Sequence, residues 1–117
     1  MMLMKRQGDV LFIFKGVDAK VPADFRKRNS GVIAEGELTG HSHHVKGWTP
    51  DCGVTVLDAP AGTEVPMGAE APDMYLTAET DVEVGHQEHG TIELEPGVWQ
   101  VRRQRQYEPE GNRQVRD

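Results

Sequence analysis

The chain has 117 residues, of which 37% are hydrophobic and 27% charged, and a formal net charge of -6. That is the size of one domain with one real core, and no apolar run approaches the roughly 18 residues of a membrane span, which argues for a soluble protein and against a membrane one. Cys52 is the only cysteine, so an intrachain disulfide is ruled out and a reducing compartment, the cytoplasm by default, is expected.

In chain order, the opening MMLMKRQGDVLFIF places a Lys-Arg pair before an apolar run. Asp9 interrupts it and no small-residue cleavage site follows, so it reads as a strand, not a signal peptide. Residues 10–14, VLFIF, are bounded by Gly8-Asp9 and Gly16 and suit a buried strand. Residues 17–31 are polar, with Pro22 and an Asn29-Ser30-Gly31 turn signal, and residues 23–28 fit a single helical turn. A second strand is expected from Val32 toward His43, interrupted or bent by Gly36 and Gly40.

Residues 54–60 read as a strand ended by Pro60, and residues 59–73 as a long turn-rich loop. Four further strands are expected at residues 74–78, 81–84, 91–95 and 98–107. Glu95-Pro96-Gly97, with proline and glycine at the two central turn positions, predicts a hairpin between the last two. No segment carries a helical stripe. The expected fold is all-β: a small antiparallel barrel or sandwich of about six to seven short strands. It forms one domain over residues 1–107, followed by a polar tail, 108–117, that is frayed or a short helix after Pro109.

All five histidines fall in two windows, GHSHH at 40–44 and GHQEHG at 85–90. His41 and His43, two apart, leave the same face of a strand and can converge on one ion, whereas His44 points the other way unless a bulge at Gly40 releases it. His86 and His89, three apart and flanked by glycines, suit a tight turn. If the windows lie on adjacent strands, these four imidazoles make a site for a divalent transition metal, with zinc first and iron, nickel, copper or manganese also compatible. Glu88 is the nearest candidate for a ligand or a general base, or else one more acid of the surface, Glu83 and Glu37 lie on the approaching strands, and Cys52 is a remote candidate ligand. The competing reading is of ordinary polar histidines or a proton-sensing cluster.

The charge is uneven. Residues 47–101 contain eleven acids and no Lys or Arg, while the rest carries all 13 basic residues against eight acids. This gives an acidic and a basic face, or solvated surface without further meaning. At the basic end Trp99, Val101, Arg103, Arg105 and Tyr107 alternate onto one strand face, with residues 25–28 and Lys5-Arg6 available to extend it. Trp99, Arg103, Arg105 and Tyr107 could therefore grip single-stranded nucleic acid. The alternative is that Trp99 and Val101 are core and the arginines pair with the acidic middle. Neither GxGxxG nor GxxxxGK[ST] occurs, and Ser42 inside HSHH is a spacer, not a nucleophile.

GHSHHV with a later histidine cluster on a strand-rich chain resembles the cupin metal motifs, which implies a divalent metal inside a β-barrel. Val45, Lys46, Gly47 and Trp48 stand where that motif expects a glutamate. More closely, RQGDVL, GELTGHSH and HQEHGTIELEPGVWQVRRQRQY resemble a small, functionally uncharacterised family of bacterial and phage genomes, which carries no activity with it. Three functions are therefore expected: a cupin-like metal-dependent enzyme acting on a small molecule, a non-catalytic binding or assembly module with a protein partner or a second copy of itself, or a nucleic-acid binder.

Overall fold

A computed structural model of the chain describes residues 3–35 and 41–104. Among these residues every regular element is a strand: β1 (Met4–Gln7), β2 (Val10–Gly16), β3 (Arg26–Arg28), β4 (Val32–Glu35), β5 (Ser42–Val45), β6 (Val54–Asp58), β7 (Met74–Ala78), β8 (Val82–Gly85), β9 (Ile92–Leu94) and β10 (Gly97–Arg103). They form two antiparallel sheets, a six-stranded one in the order β1-β2-β10-β7-β6-β3 and a four-stranded one in the order β4-β5-β8-β9. The sheets do not close on one another, so of the two expected architectures the sandwich is the one found.

Alternation builds the core. Met74, Leu76 and Ala78 of β7 point inward while Tyr75 and Thr77 do not, and Val54 and Val56 of β6, Val82 and Val84 of β8 follow the same period. Register aligns these faces, with Trp99 opposite Leu76, Val101 opposite Met74 and Val56 opposite Leu76. Ile33, Val45, Val84 and Leu94 of the smaller sheet join Phe12, Leu76, Trp99 and Val101 of the larger in one buried cluster.

Two expectations are corrected. The helical turn at residues 23–28 is absent, because Arg26–Arg28 pairs with β6 as an edge strand. Of the two forms expected for the segment from Val32 to His43, the interrupted one is found, as two antiparallel strands with Ala34 opposite His43 and a register shift between Val32 and Ala34. The bends expected at Gly36 and Gly40 lie outside the described residues. The hairpin across Glu95-Pro96-Gly97 is not formed: β9 pairs with β8, and β10 with β2 and β7, so the chain crosses here from one sheet to the other. The Trp99 indole N–H donates to the Glu95 carbonyl at 2.9 Å and ties the crossing down. Gly97 is required there, since its φ is 139° and a Cβ would stand 2.6 Å from Phe14 Cε1.

Candidate metal centre

Strand register brings the two histidine windows together. β5 pairs with β8 so that His44 faces Gly85 and Val45 faces Val84. Extending that antiparallel ladder by one residue sets His43 opposite His86, and by three sets His41 opposite Glu88. The side chains follow: the His43 and His86 rings have centroids 4.4 Å apart, and His41 Nδ1 lies 3.6 Å from Glu88 Oε2. His86 is also 5.9 Å from His41 and 4.6 Å from His89, and His43 stacks on His89 at 6.1 Å with 13° between planes. All four predicted ligand histidines therefore share one cluster. His44 is on the other side of β5, with its Nδ1 near Ser42. Cys52 packs against the core instead, in the turn before β6.

The four rings differ in surroundings. His43 is buried at 3% exposure and forms the floor, while His89 and Glu88 are exposed. Burial first, and then neighbouring His86, pushes the His43 imidazole down from 6.5 to about 4, against the opposing pull of Asp9. His86 is lowered as well, by burial, His89 and His41 in that order. Neighbouring imidazoles thus make a proton unwelcome where lone pairs are concentrated.

Two residues not foreseen as site residues flank His43. Gln7 is buried at 2% exposure, and its side-chain amide donates to the carbonyls of Val84 at 2.9 Å and Gly90 at 2.8 Å. Both amide hydrogens being committed, the Gln7 oxygen is what faces His43 Nδ1 at 2.8 Å, and Nδ1 must be the donor. The other ring nitrogen, Nε2, then carries the lone pair and lies 3.3 Å from Asp9 Oδ1. Asp9 had served only as the residue that interrupts an apolar run. The available signal was a buried-face glutamine directly before a Gly-Asp turn, in the RQGDVL stretch.

Among the described residues no group of three or more His, Cys, Asp or Glu side chains is placed to hold a metal ion. His86 shows one physical cause: its Nδ1 accepts the backbone N–H of Glu88 at 3.0 Å and of His89 at 3.3 Å. Binding an ion through that nitrogen requires the ring to exchange two backbone contacts for the ion.

At the basic end two residues are core and two arginines are paired. Trp99 and Val101 are fully buried, so Trp99 has no face for a base to stack on. Arg102 pairs with Asp73 and Arg103 with Glu70, while Arg105 and Tyr107 lie outside the described residues, as does the tail at 108–117. No helix among the described residues is long and apolar enough to cross a membrane.

A family model described as a domain of unknown function (DUF8820) matches residues 6–104. No curated protein and no solved structure matches the chain.

Proposed function

From a chain that belongs to the DUF8820 family, a domain of unknown function, we propose a metal-binding protein that takes a divalent transition ion, zinc foremost, among His41, His43, His86 and His89. The observation that carries this is His43: a buried imidazole with one nitrogen tied to Gln7 and the other turned to a carboxylate oxygen, under two further imidazoles. With Nδ1 as donor, the Nε2 lone pair faces a carboxylate oxygen across 3.3 Å, and a cation between them makes that arrangement favourable. A proton is opposed by burial and by the neighbouring rings. A divalent ion binds neutral imidazoles and a carboxylate together, which is a donor set that suits zinc, iron, nickel or manganese.

A second reading is catalysis at the ion, with Glu88 as base, in the manner that the cupin resemblance implies. It is favoured by one observation: Glu88 is 60% exposed beside His41, on the solvent side of the cluster. Purification without a tag followed by elemental analysis tests the first reading, with stoichiometric metal expected and its loss in His43→Ala and His89→Ala. Absence of metal together with no zinc-induced change in stability would count against it. Given an ion, X-ray absorption separates the readings: four protein donors fill a tetrahedron and exclude Glu88 catalysis, whereas an open position supports it.

A further inference from the structure

The Gln7–Gly8–Asp9 turn between β1 and β2 addresses the histidine cluster with all three of its residues. Gln7 accepts from His43 Nδ1. Gly8, at φ 60°, leaves room for the His89 ring, because a Cβ there would stand 2.4 Å from His89 Nε2. Asp9 faces His43 Nε2 at 3.3 Å and reaches solvent on its other side. The turn thus meets the cluster from the larger sheet, while the histidines come from β5 and from the link between β8 and β9. Loss of any one of these contacts would be unremarkable in a surface hairpin, but their coincidence on consecutive residues is what a built site requires.

We propose that this turn is the third limb of the metal site, with Asp9 as its oxygen ligand and Gln7 as the positioning residue that fixes the His43 tautomer. The inference rests on the metal reading above. Its physical content is the usual division of labour around a bound ion, in which a ligand histidine gives its second N–H to an outer partner that sets ring orientation and basicity. Gln7 fills that role better than a carboxylate would, because its amide hydrogens also satisfy the Val84 and Gly90 carbonyls and hold the acceptor oxygen in place. An Asp9 carboxylate in the shell adds negative charge, which makes the site a mixed nitrogen and oxygen set and favours divalent over monovalent ions.

The test uses the full chain and cobalt(II) as a spectroscopic probe, with zinc(II) in competition. Nitrogen-15 NMR of the metal-free protein should find His43 protonated on Nδ1 and bare on Nε2, and the reverse tautomer overturns the role given to Gln7. Asp9→Asn should weaken cobalt by about tenfold or more and shift its visible bands. Gln7→Met should weaken it by about 10–100-fold and mix the His43 tautomers. Should Gln7→Met fail to fold, the wild-type tautomer and Asp9→Asn still decide. Wild-type binding with unchanged affinity in Asp9→Asn overturns this inference and leaves the histidine site intact. No cobalt or zinc binding by the wild type overturns both.

Discussion

His43 is neutral in the folded protein because charging it would bury an imidazolium beneath two other imidazoles, and this has a consequence for stability. Its folded value is about 4, below the 6.5 of an unfolded histidine. Between those values the unfolded chain binds a proton that the folded chain refuses. The stability His43 contributes is therefore complete above about pH 6.5 and is lost as pH falls toward about 4, for a total on the order of 3 kcal/mol. Urea unfolding of chelator-treated protein at about pH 7 and about pH 4.5 should register that loss, and His43→Gln should remove most of it. An equal pH dependence in the variant would assign the effect to other titrating groups, His86 and the carboxylates among them. From sequence, the two-residue spacing of His41 and His43 was enough to place them on one face of the chain, toward the cluster, and His44 on the other. The burial of His43 was not legible, since it depends on Gln7, thirty-six positions away and polar.

Elements differ in how much of themselves they display. β2 is a continuous apolar run and β6, β7 and β8 follow the two-residue period, so all four were readable, whereas β1 and β3 are charged strands at the two ends of the larger sheet. Edge strands with charged side chains resist pairing with other chains, and for the same reason they carry no apolar period to read. The Pro96-Gly97 pair misled because turn chemistry says only that the chain reverses or bends, not which sheet it joins. The crossing makes two predictions. Trp99→Ala empties the centre of the core and orphans the Glu95 carbonyl, and should lower unfolding free energy by about 3–5 kcal/mol. Gly97→Ala drives a methyl group into Phe14 at a backbone angle that alanine resists, and should lower it by about 1–3 kcal/mol. Chemical denaturation measures both; a Gly97→Ala protein as stable as wild type would mean that β10 can enter its sheet by another path.

At the scale of the whole molecule part of the uneven charge is taken up in pairing among the described residues. Lys5 with Glu95, Arg28 with Asp58, Arg102 with Asp73 and Arg103 with Glu70 each join a basic residue from an end of the chain to an acid of the middle. The asymmetry was plain in the sequence, but its meaning needed the β3–β6 and β10–β7 pairings that interleave the segments. The same interleaving sets the histidine cluster across the two sheets, since the β1–β2 turn comes from the larger and the histidines from the smaller. An ion bound there fastens one sheet to the other, and because the core is already continuous, it adds to a fold that exists without it. Binding only to the folded chain stabilises by mass action, by about 4 kcal/mol at a free zinc concentration of about a thousand times Kd. Thermal unfolding with and without zinc should therefore show a raised Tm for wild type and none for His43→Ala. His44→Ala is the control, because His44 points away from the cluster beside Ser42 and should keep the full increment. If His44→Ala loses as much of the zinc effect as His43→Ala, the ion lies on the other face of β5 and the site assembled by the β5–β8 register is wrong.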